Sequence, residues 1–112
     1  MLEQEYNELN QYTIKASEAV ADYYDRFDSL TAKDKKYVID KILSLLDIVL
    51  IFTMNIRHQL IVKLNNASAS LRIQLNQHLT ELKTTADTAK TLSFNFTTIL
   101  NYTRDDLKND VL

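Results

Sequence analysis

Not one of the 112 residues is glycine or proline. That double absence constrains this chain more than any motif in it. Hairpin turns of β-structure rely on glycine at positive φ, and proline punctuates loops and sheet edges. Average usage would put roughly 7% glycine and 5% proline in a globular domain. A chain with neither is predicted to be all-α, with Asn, Ser and Thr serving at the few turns.

The length suits a single domain with one modest core, taken as residues 1–112. Hydrophobic residues make up 46% and charged residues 25%, which places the chain among folded rather than disordered sequences. The chain also lacks cysteine. No disulfide, thiolate nucleophile or cysteine-bound metal is available to it, which fits a reducing, cytoplasmic setting. The start, MLEQEYNELNQ, is acidic and polar and has no signal-peptide pattern.

Three helices follow from the apolar periodicity. The first is expected over about residues 2–28. Its stripe runs Leu2, Tyr6, Leu9, Ala16, Val20, Tyr23, Phe27 and Leu30, with Thr13 filling the gap after Leu9, so that the spacing alternates four and three. Thr31 then reads as an N-cap for a second helix over 32–64, with Asp34 three residues on. Asn65-Asn66 would end it, asparagine being the best residue after glycine in a left-handed position past a helix end.

The third helix is expected over about 68–110. Its seam is Leu71, Leu75, His78, Leu82, Ala86, Ala89, Phe96, Leu100 and Leu107. The stretch KTTADTAKT, residues 83–91, is rich in threonine, a poor helix former. The register does not slip across it, so one long helix is favoured, with a bend near Thr85 allowed. A break there would convert an antiparallel three-helix bundle into a four-helix bundle. His78 in the leucine seam reads as a seam residue rather than a ligand.

Charge is unevenly divided along the chain. Residues 1–30 hold seven acids and two bases, residues 31–64 six bases and three acids, and the remainder balances. Asp22, Asp25 and Asp28 close one helix, while Lys33, Lys35 and Lys36 open the next. Both sets oppose the helix dipole, so a tight hairpin that brings them together is expected. The overall charge of −2 is too near neutral to suggest a nucleic-acid binder.

The most apolar stretch, ILSLLDIVLIFTMNI, lies at residues 42–56. It is shorter than the roughly 20 residues needed to cross a bilayer. On a helical wheel, most of the apolar residues from Val38 to Leu64, all but Ile48, Ile51 and Val62, fall within an arc of roughly 200°, with Ile61 and Met54 at one edge. The second helix is therefore the central one, packed between the other two. Within its polar arc lies another row: Ser44, Ile48, Ile51, Asn55, His58 and Val62, spaced four, three, four, three, four. That is coiled-coil spacing, and an asparagine in such a seam sets register and oligomeric state. Stray β-branched residues on a surface would look the same.

No chemistry is assembled in the sequence. Two histidines stand apart, no Glu-x-x-His pair occurs, and without glycine there is no phosphate-cradling loop or nucleophile elbow. No cofactor is expected. The reading is a small non-enzymatic protein–protein interaction module that works through helical surfaces and self-associates as a homodimer. Its candidate interface residues are Ile48, Ile51, Asn55, His58 and Val62, with Tyr24 as an outlying candidate. The size and simplicity suit an inhibitor or accessory protein of a phage or mobile element. A bacteriocin-immunity or secretion-partner bundle shares the same physics. A membrane-surface protein that opens its bundle, or a nucleic-acid accessory protein, is a further alternative.

Overall fold

The computed structural model describes residues 2–111 and is all helical: α1 (Leu2–Asp25), a short 3-10 turn (Phe27–Ser29), α2 (Ala32–Leu64) and α3 (Ala69–Val111). The three helices form an antiparallel bundle, with α2 packed against both α1 and α3. Among the described residues there is no strand.

Each connection is built by local hydrogen bonds. The α1 helix stops three residues short of the expected Asp28. Beyond Asp25 the chain tightens: the Ser29 and Leu30 amides both donate to the Arg26 carbonyl, at 2.9 and 3.0 Å. The Ser29 hydroxyl donates to the same oxygen at 2.9 Å. Thr31 caps α2 as its sequence position predicts, its Oγ1 accepting from the Asp34 amide at 3.1 Å. At the far end the left-handed asparagine is not used. Asn65 is right-handed, with φ −62° and ψ −26°. The amides of Asn66 and Ala67 instead reach back to the carbonyls of Lys63 and Leu64, both at 3.3 Å. A tightened last turn meets the same need as a left-handed residue. Ser68 then opens α3, its Oγ accepting from the Leu71 amide at 3.4 Å.

The third helix is continuous through KTTADTAKT. Thr84 and Thr85 each turn their hydroxyl onto the carbonyl four residues back, at 3.2 Å. Thr80, Thr97 and Thr103 do the same. This arrangement leaves the helical ladder intact. The molecule's longest dimension is 64 Å, which is the length of a straight 43-residue helix at about 1.5 Å per residue. So α3 sets the length of the bundle.

The core is a heptad seam. On α2 it runs Ile39, Ile42, Leu46, Val49, Thr53, Ile56 and Leu60, all buried. Leu9, Ala16, Ala19 and Tyr23 meet it from α1, and Leu75, Leu82, Ala89, Phe96 and Leu100 from α3. Thr53 fits this apolar row because its hydroxyl donates to the Leu50 carbonyl at 2.8 Å. Several expected stripe members lie outside the core. Phe27, Leu71, Ile61 and Met54 are exposed, and so is His78. Phe27 falls in the 3-10 turn, where the helical stripe no longer holds. The side chain of Leu107, at the end of the expected α3 seam, lies outside the described residues.

The charge pattern at the hairpin resolves differently from its expectation. The ion pairs close locally, four residues apart along the chain, Arg26 Nε on Asp22 at 2.7 Å and Lys36 Nζ on Asp40 at 2.7 Å. Lys35 lies over the Phe27 ring, 3.8 Å from its centroid. Asp22 is held below the usual carboxylate range by its hydrogen bond from Arg26, with smaller help from the charges of Arg26 and Lys41. The hairpin thus brings unlike charges near each other without an ion pair across the turn among the described residues.

Phe96 is fully buried and stands edge-on to Tyr23 at 5.5 Å. Phe96→Ala should cost about 3–5 kcal/mol in urea unfolding, through lost burial and the cavity left behind. Thr84→Ala exchanges an exposed threonine for a better helix former. It should raise stability by up to about 0.5 kcal/mol in the same measurement.

Candidate functional site: the outward face of α2

The α2 helix buries one side in the seam and has flanks against its neighbours. The α1 flank carries Phe52, stacked on Tyr12 at 5.7 Å, and Gln59, whose Nε2 donates to Glu5 at 2.6 Å. The side remote from the core faces outward. Five of the six sequence-derived candidates lie along this helix. Ile51 is 52% exposed and Val62 53%. Asn55 and His58 are exposed, and Ile48 is half-buried. Ser44 continues the row, also exposed.

The structure adds Met54, 63% exposed, and Ile61. Sequence reasoning placed both in the core arc. The wheel at 100° per residue made that arc too wide, because the buried row follows a heptad of three- and four-residue steps. In that row Thr53 and Leu60 take the inward positions, and their neighbours Met54 and Ile61 turn outward. A strict heptad reading from Ile39 would have found them. The outcome is a continuous band of apolar side chains, Ile51, Met54, Ile61 and Val62, grouped around His58 on adjacent turns.

Tyr24 does not join this band. It lies on α1, close to Tyr23 at 5.4 Å and Phe96 at 6.2 Å, with its outer edge exposed. Phe27, Tyr37, Phe94 and Tyr102 are the other exposed aromatics. The antiparallel topology gathers all five toward the end of the bundle that carries the α1–α2 turn.

Among the described residues, titratable groups do not converge on a reactive centre. His78 Nδ1 is 3.7 Å from Glu81 Oε2, both on the surface of α3. The Tyr6 ring lies 6.2 Å from the His78 ring. The Tyr6 hydroxyl is buried without a partner among the described residues. Burial, then the Glu81 charge, pushes its pKa above 10.0. Among the described residues, no group of three or more His, Cys, Asp or Glu is placed to hold a metal ion. No described helix is long and apolar enough to cross a membrane.

Two grooves flank α2. The α1–α2 groove, about 710 Å³, is walled by charges of both signs. The α2–α3 groove, about 920 Å³, lies beside the exposed apolar band and shares Met54 and Ile61 with it.

Compared with protein-family models, with curated proteins and with solved structures, the chain has no significant match in any of the three.

Two of the tyrosines should titrate late. Tyr23 is raised by burial and then by Tyr24, and Tyr6 is raised as above. The folded pKa lies above the unfolded value, so the stability these groups contribute is complete below pH 10 and is lost as pH rises through the folded pKa. Ultraviolet titration should show Tyr6→Phe and Tyr23→Phe each removing a late-ionising group.

Proposed function

We propose that this protein is a non-enzymatic protein–protein interaction module that associates through the outward face of α2, first with a second copy of itself. The observation that carries the reading is the exposed band on adjacent turns of that helix. Isolated exposed apolar residues are ordinary, whereas a grouped set on one face marks an interaction surface. Asn55 and His58 sit inside the band, where polar residues favour one register over others. Such a face costs little stability when bare, because the core seam lies on the opposite side of the same helix.

A single small bundle of this kind suits a protein that covers part of a larger machine, as inhibitors and accessory proteins of phages and mobile elements do. Immunity-type and secretion-partner bundles would use the same surface in the same way.

Sedimentation equilibrium across a range of concentrations tests the self-association. The wild type should dimerise, and Ile51→Lys should weaken the dimer at least tenfold while helicity by circular dichroism is unchanged. A wild type that stays monomeric throughout the range rejects self-association. An Ile51→Lys protein that loses its helicity rejects the assignment of Ile51 to a surface.

A further inference from the structure

The α2–α3 pair has two flanks, and only one of them carries a helix. On the first, α1 contacts both helices, through Tyr12 on Phe52 and Tyr23 on Phe96. On the second lies the open groove of about 920 Å³. Its apolar surface comes from Leu50, Met54 and Ile61 of α2 and Leu79, Leu82 and Ala86 of α3. The groove is roomy because α3 supplies small side chains here, Thr80 and Ala86, from its threonine- and alanine-rich middle.

The rim has a definite sign. Arg57, Lys83 and Lys90 border it, against the single acid Asp87. None of the three cations forms an ion pair with a described residue. The α1–α2 groove differs on both counts. There Lys15, Arg26 and Lys41 are matched by Glu18, Asp22 and Asp34, and Arg26 is already paired with Asp22. The α2–α3 groove therefore combines an apolar floor with an excess of positive charge, three cations to one acid.

Its length limits what can lie there. The lining runs from Leu50 to Ile61 on α2 and from Asn76 to Lys90 on α3. At about 1.5 Å per residue, that is roughly 17–21 Å, or three to four helical turns. A helix laid in such a groove docks by residues one turn apart. Complementary charge along its flanks selects it against other helices.

We infer that the α2–α3 groove receives an acidic amphipathic helix from a partner protein, which completes the bundle as a fourth helix. The protein already holds a helix of that character on its other flank: seven of the nine charged residues between 1 and 30 are acids. The α1 helix of a second copy is not the occupant. The apolar stripe of α1 is used within its own bundle, and α1 offers only Ile14 and Tyr24 as large exposed apolar side chains. The inference shares the reading of the protein as an interaction module but does not depend on its self-association.

Met54 supplies a reporter. The chain has two methionines, so methyl-labelled methionine gives two signals, and Met54→Leu identifies the one in the groove. The probe is a synthetic helical peptide of about 16 residues with leucines along one face and glutamates on both flanks. The control peptide has lysine at every glutamate. The glutamate peptide should shift the Met54 signal saturably, and added salt should weaken it. The lysine peptide should leave the signal in place. The double variant Lys83→Glu with Lys90→Glu, changed at two exposed positions, should weaken binding at least tenfold with an unchanged thermal melt. Ile51→Lys, which frees Met54 and Ile61 from the dimer, should bind the peptide at least as tightly as the wild type does.

A Met54 signal unmoved at millimolar glutamate peptide would overturn the inference. So would equal binding of the lysine peptide, or full binding by the double variant. If Ile51→Lys abolishes binding while the double variant keeps it, the peptide lies on the outward band. The groove assignment then falls, while α2 remains an interaction face.

Discussion

The bundle depends on the burial of one row of side chains on α2. Ile39, Ile42, Leu46, Val49, Thr53, Ile56 and Leu60 are removed from water by two neighbours at once. At about 1.5–3 kcal/mol for each large apolar side chain, no other set in the protein contributes as much from one element. The α1 and α3 helices are held together largely through what each gives to this row. Their direct meetings are aromatic, at Tyr6 with His78 and at Tyr23 and Tyr24 with Phe96.

Because α2 is central, its remaining surface divides into zones with different physics. The α1 flank is covered. The outward side carries isoleucine, methionine and valine that gain nothing from the core. The α3 flank is partly open, since the threonines and alanines of α3 are too small to fill it. Threonine is usually a weak choice for a helix interior. Here the hydroxyls of Thr80, Thr84 and Thr85 bond the carbonyls four residues back, and the helix runs on through them.

Much of this was legible in the sequence. The α2 limits, Thr31 as its cap and the unbroken α3 all followed from periodicity and cap chemistry. The failures have physical causes. Phe27 was assigned to a stripe because the helix was extended through it, whereas backbone tightening at Arg26 ended the helix first. His78 and Leu71 sit at seam spacing but face water. The buried row of α3 runs Leu75, Leu82, Ala89 and Phe96 at seven-residue steps before Leu100 joins it, and His78 and Leu71 fall outside it. Met54 and Ile61 were taken as core because apolar character alone does not say on which side of a narrow seam a residue falls.

The sequence by itself determined the helical class, through the absence of glycine and proline, and the central rank of α2, through its apolar density. It also determined the outward row of Ile51, Asn55, His58 and Val62, because helical spacing is a local property that needs no knowledge of neighbours. Only the tertiary structure decided how wide the buried seam is, and therefore that Met54 and Ile61 join the exposed band. It alone placed Arg57 of α2 on one rim with Lys83 and Lys90 of α3. Those residues are far apart in the chain, and a groove belongs to two helices at once. Its shape depends on how closely they pack, which no single helix encodes.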